Sequence, residues 1–338
     1  MTQRSSTIQV RYISWLAVGF VLTVATPMIS WAQTSAKLDQ VVVAGWSKPI
    51  TEITNLLSEE DKGFFKARSI ELGYIPGAGG GDALRNLLSG QADVAFTDPG
   101  SFFTALDKGA KLRAIYDIYP QNVFNVVSLA SEKILTPADL KGKRIGVYSL
   151  SSGTRQNLQV LLNRAGLTEA DVTIVVTGLL NFAPLIQGQV DATAATDTGL
   201  LVGRQRGLRD VNVMEVKNYL NISSDFFVVR EETYQLKKEV LIRFLKAYQD
   251  SAKWMIQSPE EAAQLAVKYA IDGQNLSMNL EIIKLRNASS VSATTDQYGL
   301  GAFDMKTLQN GADVYQEIGL IQKKIHVESV VSQDLLPK

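Results

Sequence analysis

Gly79-Gly80-Gly81-Asp82-Ala83-Leu84-Arg85-Asn86-Leu87-Leu88-Ser89-Gly90-Gln91-Ala92-Asp93-Val94-Ala95-Phe96-Thr97-Asp98 reads as a glycine turn, a two-turn helix, a tight exit and a short strand. The three glycines let the backbone pass close to whatever lies above them, because no Cβ stands in the way. Asp82 is placed to cap the helix, and Ala83, Leu84, Leu87 and Leu88 give it one apolar face. Gly90 falls where a helix ends in a left-handed residue. Val94 and Phe96 suit a buried strand that delivers Thr97 and Asp98 to its C-terminal edge, the edge at which open α/β sheets bind ligands. A second copy follows about a hundred residues on. Leu185-Ile186-Gln187-Gly188-Gln189-Val190-Asp191 leads through Ala-Thr-Ala-Ala to Thr196 and Asp197. Two similar α/β lobes facing each other across a cleft is the simplest arrangement that uses both copies.

Working outward, the segments on either side alternate strand and helix signals. Val41-Val42-Val43-Ala44 is a fully apolar strand that ends at Gly45 and hands over to Trp46-Ser47-Lys48-Pro49. Trp46 is then either a lid on the core or a ring that stacks on a flat ligand. Residues 51–66 carry an amphipathic helical pattern, and 70–75 alternate as a strand. After Asp98, Pro99-Gly100-Ser101 opens another helix, and 112–116 and 123–129 are strands, the latter crossing into the second lobe. Ser149-Leu150-Ser151-Ser152-Gly153-Thr154 forms a second small-residue loop before a helix over 157–165, with N–H groups and hydroxyls suited to an anion or a carbonyl. Residues 172–176 are a strand, 177–184 lead into the repeated helix, and 225–229 form the return crossing. The remaining helices include one over 241–256 and one opened by a capping box at Ser258-Pro259-Glu260-Glu261. The expected division is therefore 1–32 signal peptide, 33–122 first lobe, 123–229 second lobe and 230–338 a helical return to the first lobe.

The opening residues read as a targeting signal. Arg4 and Arg11 precede an apolar run over 13–25, and Ser30-Trp31-Ala32 matches a small-x-small cleavage rule with the cut before Gln33. The run falls short of the ~20 residues that span a bilayer comfortably, so export is preferred over a permanent anchor. The chain has no cysteine, which removes disulfides, thiolate metal sites and a lipid-anchored cysteine. Its 34 basic and 34 acidic residues leave a near-neutral surface that argues against nucleic acid. The dinucleotide fingerprint fails because Asp82 holds its third glycine position, and no phosphate-binding Gly-Lys-Ser/Thr loop, nucleophile elbow or His-Glu-x-x-His occurs. His326 is the only histidine, near the C-terminus and expected on the surface, so histidine-based triads and metal sites have no components.

Four stretches together resemble a known family: GFFKARSIELGYIPGAGGGDALRNLLSGQADVAFTDPGSF over 63–102, ILTPADLKGKRIGVYSLSSGT over 134–154, LIQGQVDATAATD over 185–197 and FLKAYQDSAKWMIQSPEEAAQLAVKYA over 244–270. They are similar to the periplasmic solute-binding proteins of ABC importers, in the branch for nitrate, taurine, alkanesulfonates and thiamine-precursor pyrimidines, and the likeness runs over nearly the whole chain after residue 32. The resemblance implies a bilobed type II periplasmic-binding-protein fold, α/β in both lobes, closing about two hinge strands. It implies a monomeric, non-enzymatic periplasmic receptor that needs no cofactor and hands a small-molecule ligand to an ABC permease and its ATPase. It places the ligand between Trp46, Gly80, Gly81, Asp82, Thr97 and Asp98 of one lobe and Ser151, Ser152, Gly153, Thr154 and the Thr196-Asp197 strand end of the other. Pyrimidine binders of the family often carry a histidine near the first strand, where this chain has Trp46-Ser47-Lys48-Pro49, and nitrate sites recruit basic side chains, whereas these loops are mostly neutral. Carboxylates at both strand ends favour an amine or ring N–H over a bare anion, so the expected solute is a zwitterion or nitrogen heterocycle, with a taurine-like sulfonate as competitor. Two rivals stand beside this: an enzyme using Asp98 and Asp197 as acid and base, and a periplasmic sensory input module.

Overall fold

A computed structural model describes residues 37–178 and 182–337. The expected signal segment lies outside the described residues, as do residues 179–181 of the expected lead into the repeated helix. Ten strands form two five-stranded mixed sheets. The first contains β1 (Asp39–Ala44), β2 (Ile70–Ile75), β3 (Val94–Thr97), β4 (Leu112–Tyr119) and β10 (Asp225–Arg230), in the order β2-β1-β3-β10-β4. The second contains β5 (Phe124–Leu129), β6 (Arg144–Val147), β7 (Thr173–Val176), β8 (Ala192–Thr196) and β9 (Val211–Glu215), in the order β7-β6-β8-β5-β9. The sheets match strand for strand. In the first, β1 pairs in parallel with β2 and β3, and β10 is antiparallel to β3 and β4. In the second, β6 is parallel to β7 and β8, and β5 is antiparallel to β8 and β9. The chain passes between the sheets twice, from β4 to β5 and from β9 to β10, so 225–229, expected as the end of the second lobe, belongs to the first sheet.

The repeat has a hydrogen-bonding reason. Asp93 N–H donates to the Val42 carbonyl at 2.9 Å while its Oδ2 accepts from Val42 N–H at 3.0 Å. Asp191 does the same to Arg144, at 2.8 and 2.7 Å. Each Gly-Gln-x-Asp exit thus clamps both backbone groups of one residue in the neighbouring strand. Gly90 and Gly188, at φ +79° and +68°, supply the left-handed step that turns the chain towards the clamp.

Helices cover the sheets: α1 (Gly80–Leu88), α2 (Pro99–Asp107), α3 (Gly153–Arg164), α4 (Ala183–Ile186), α5 (Asp197–Gln205), α6 (Lys238–Gln257), α7 (Pro259–Tyr269), α8 (Leu276–Ser289) and α9 (Met305–Glu317). Alternation along the strands sorts the first sheet's core. Val41, Val43, Val94, Phe96, Phe227 and Val229 pack under Phe244, Leu245 and Tyr248 of α6. Ala44, Ala95, Phe226 and Val228 turn to the opposite face, with Leu84 and Leu87 of α1 and Phe102 and Phe103 of α2.

Three local expectations are corrected. The amphipathic stretch 51–66 breaks into a 3₁₀ turn (Thr51–Ile53) and two short helices (Thr54–Leu57, Glu59–Lys62) ended by Gly63 at φ +65°. There the Glu59 carboxylate takes the Phe65 and Lys66 N–H groups, at 3.0 and 2.8 Å, and closes a loop that a continuous helix would forbid. Helix α1 begins at Gly80, two residues before Asp82, and the Asp82 carboxylate reaches back to the Ala78 N–H at 2.8 Å and pairs with Arg85. The side chain of Ser258 makes no cap, and Glu261 accepts from Trp254 Nε1 at 2.7 Å and binds Lys62, so the expected capping box does not form.

Candidate functional site

The C-terminal ends of β1 and β3, with the start of α1, face the loop after β6 and the start of α3. Between them lies a cavity of about 80 Å³. From the first lobe it is lined by Trp46, Ile50, Glu52, Gly79, Gly80, Asp98, Asp225 and Arg286. From the second it is lined by Phe124, Tyr148, Ser152, Gly153, Thr154, Ala195, Thr196 and Gly199, and Val123 sits at the crossing. A wider groove of about 750 Å³ shares Ile50, Glu52 and Gly199 with it and runs out past α4, α5 and α8.

The lobes touch through several contacts around this cavity. Gly81 N–H donates to the Ser151 carbonyl at 3.0 Å, and Ser149 Oγ to the Ala78 carbonyl at 2.5 Å. A Cβ on Gly79 would lie 2.6 Å from the Ser151 carbonyl oxygen, and Gly79 itself sits at φ +120°, so the glycine turn is what permits this approach. Trp46 meets Tyr148 edge-on with ring centroids 6.5 Å apart, and Gln156 Nε2 donates to Ser101 Oγ at 3.1 Å.

Behind the cavity sits a buried charge cluster. Arg286 of α8, with no exposed side-chain surface, places Nη2 at 3.0 Å from Glu52 Oε2, 2.9 Å from Asp197 Oδ1 and 2.8 Å from Thr198 Oγ1. Thr198 Oγ1 in turn donates to Glu52 Oε1 at 2.5 Å. Its guanidinium stacks 4.9 Å from the Tyr119 ring centroid. Burial works against the guanidinium charge, but the Asp197 and Glu52 carboxylates outweigh it and raise the pKa. Burial pushes Glu52 up despite Arg286. Nε and Nη1 of Arg286, and Nε1 of Trp46, have no hydrogen-bond partner among the described residues.

The structure separates the acids that the sequence paired. Asp98 is the N-cap of α2: Oδ1 accepts from Ser101 N–H and Oδ2 from Ser101 Oγ, both at 2.8 Å. Burial pushes its carboxyl up to about 6, against these two hydrogen bonds. Asp197 is the first residue of α5, is held by Arg286, and does not line the cavity. The unforeseen acid is Asp225, the first residue of β10, only 7% exposed and lining the cavity. Burial raises its carboxyl well above the usual range, and the neighbouring Asp98 raises it further.

Of the other residues singled out by sequence, Trp46, Gly80, Ser152, Gly153 and Thr154 line the cavity. Gly81 and Ser151 instead join the lobes to each other. Thr97 is buried with its hydroxyl on the Gly80 carbonyl at 3.0 Å, and Asp82 points away to Ala78 and Arg85. The hydroxyls of Ser152 and Thr154 are spent inside their own loop, Ser152 Oγ on the Ser149 carbonyl at 2.7 Å and Thr154 Oγ1 on the Tyr148 N–H at 3.0 Å. His326 is exposed, as expected. Arg286 escaped the sequence reading although a signal existed: Asn279, Ile282, Ile283 and Arg286 follow the i, i+3, i+4, i+7 spacing of one buried stripe, so Arg286 is a lone cation on the apolar side.

Two matched sheets enclosing a cavity at their facing edges define the fold of the periplasmic solute-binding proteins. The alkanesulfonate-binding protein SsuA from Xanthomonas axonopodis pv. citri, solved with MOPS, shares it with a TM-score of 0.67 at 18% identity, over 88% of this chain and all of that one. The aliphatic sulphonate-binding SsuA from Escherichia coli does so with a TM-score of 0.63 at 19% identity, over 88% and 98%. A family model described as NMT1/THI5 like matches residues 50–262, and the chain belongs to that family. Among curated relatives, the riboflavin-binding protein RibY of Chloroflexus aurantiacus is 21% identical over 304 residues, 89% of this chain and 87% of that protein. A putative thiamine biosynthesis protein of Haemophilus influenzae is 23% identical over 321 residues, 94% and 96% of the two chains.

Proposed function

We propose that this protein is the solute-binding component of an ABC-type uptake system, exported by its N-terminal signal to the periplasm. There it captures one small polar organic solute between its lobes and delivers it to a membrane permease. The observation that carries the reading is the cavity itself, walled by residues of both lobes and bordered by contacts that exist only when the lobes are together. Trp46 and Tyr148 offer aromatic surface to a flat solute. Gly153 and Thr154, which line the same space, open α3 and carry N–H groups that no intrahelical carbonyl can satisfy. A nitrogen heterocycle of pyrimidine type fits this mixture of rings, acids and N–H donors, and a taurine-like sulfonate is the competing class. The protein acts as a monomer without a cofactor, and the two acids an enzymatic reading requires, Asp98 and Asp197, are already committed to Ser101 and Arg286.

The test is a thermal-shift and calorimetric screen of the purified protein against nitrogen heterocycles, amino acids and sulfonates. One class should raise the midpoint in a concentration-dependent way. A screen in which no member of any class stabilises the protein contradicts the reading, and turnover of a bound solute would replace it with an enzymatic one. A sensory role predicts a membrane kinase as the partner in pull-downs in place of a permease.

A further inference from the structure

The charge a solute must carry to enter the cavity is set by the side chains that line it. We infer that Asp225 is the specificity-determining residue, and that the solute presents an N–H donor to it, of amidine, amino-heterocycle or ammonium type, while simple sulfonates and nitrate are rejected. This rests on the proposed binding role.

Three carboxyl groups line the cavity, on Glu52, Asp98 and Asp225, against one guanidinium, on Arg286. Three of these four already have partners. Glu52 is bound by Arg286 and Thr198, Asp98 by the N–H and hydroxyl of Ser101, and Nη2 of Arg286 by Glu52, Asp197 and Thr198, which leaves Nε and Nη1 of Arg286 for an acceptor on the solute. Asp225 is the exception: among the described residues its carboxyl group makes no side-chain hydrogen bond or ion pair, though its residue is 93% buried by the complement of its 7% exposure. A buried carboxyl group without a partner is costly unless something else supplies one. A solute seated in the cavity that Asp225 lines is placed to supply one. The groups that act on Asp225 are Asp98, Glu52 and Asp117, which repel its charge, and Arg286, which favours it. A sulfonate or nitrate brings no donor for the Asp225 carboxyl group, whereas an N–H donor or cation on the solute supplies the missing partner. The N–H groups at the start of α3 and the donor of Trp46 are then left for an acceptor atom elsewhere on the solute.

The experiment uses acetamidine and 4-aminopyrimidine as nitrogen probes and 1-propanesulfonate as the oxyanion probe, titrated calorimetrically into the purified protein and into Asp225→Asn and Asp225→Ala. The nitrogen probes should bind the unaltered protein, and both variants should weaken them roughly tenfold or more, the size of one charge-assisted hydrogen bond. Acetamidine stays cationic at neutral pH, so its affinity should rise with pH as the cavity carboxyls ionise, and Asp225→Asn should flatten that rise. 1-Propanesulfonate should not bind the unaltered protein. Sulfonate binding together with nitrogen-probe affinities unchanged in Asp225→Asn overturns the role of Asp225 and leaves the solute-binding role standing. Failure of all three probes, with both variants folded by circular dichroism, overturns the two together.

Discussion

At Gly80 the fit between backbone and side chain is close enough to be tested by one methyl group. A Cβ there would lie 2.1 Å from Asp98 Oδ2 and 2.6 Å from Thr97 Oγ1, both buried, so neither can move aside freely. Gly80→Ala should cost about 1–3 kcal/mol in urea unfolding and displace Asp98 from the cap of α2. Asp117 offers a second test. Burial pushes its carboxyl up to about 8, and Ser223 Oγ donates to it at 2.6 Å. The unfolded chain loses this proton near pH ~3.9, so the folded state binds the extra proton between there and pH 8. Its contribution to stability is therefore full below about pH 3.9 and disappears as pH rises through the folded value. Asp117→Asn should flatten the fall in stability between pH 5 and pH 8, measured by chemical denaturation at each pH. An unchanged slope would show that Asp117 is ionised in the folded protein. Single residues were also where the sequence was least readable. Thr97-Asp98 and Thr196-Asp197 look alike as text, yet the first helix is capped by Asp98 and the second by Thr196, one step earlier. That shift places Asp98 on the cavity and hands Asp197 to an arginine 89 residues away. Asp225 looks like the polar start of an apolar strand, because nothing local says that β10 returns beside β3.

At the scale of the element, the repeated Gly-Gln-x-Asp exit is the device that gives both sheets the same order. Its aspartate replaces a missing strand neighbour by holding the N–H and C=O of Val42 or Arg144. Asp93→Ala should cost about 1–2 kcal/mol by leaving the half-buried Val42 N–H unpaired, and Asp93→Asn, which keeps an acceptor, less. Equal costs for the two would mean that the Lys237 ion pair to Asp93, at 2.9 Å, matters more than the clamp. This level was legible from sequence because the pattern is local: glycine, acid, apolar strand. Continuous helix over 51–66 was misread for the same reason, since the apolar periodicity persists through the break that Glu59 and Gly63 impose.

For the whole molecule, closure is held by a charge cluster that spans the two lobes, with Arg286 and Glu52 on one side and Asp197 and Thr198 on the other. Removing its only cation leaves two acids with no counter-charge, so Arg286→Gln should cost about 3–5 kcal/mol. The same variant should widen the particle in small-angle scattering, because the interlobe ion pair goes with it. Destabilisation without widening would confine the cluster to a role within the first lobe. None of this long-range pairing was visible in the sequence, where Glu52, Asp197 and Arg286 stand far apart and Asp197 was expected to face the ligand. Whether the lobes grip one small nitrogen-bearing solute between Trp46 and Asp225 would be seen in a crystal structure of the protein purified with the solute it carries. Density for a small molecule should appear in the interlobe cavity, with a nitrogen within hydrogen-bonding distance of the Asp225 carboxyl. A solute seated in the outer groove, or an oxyanion at the inner site with its oxygens turned to Arg286, would contradict it.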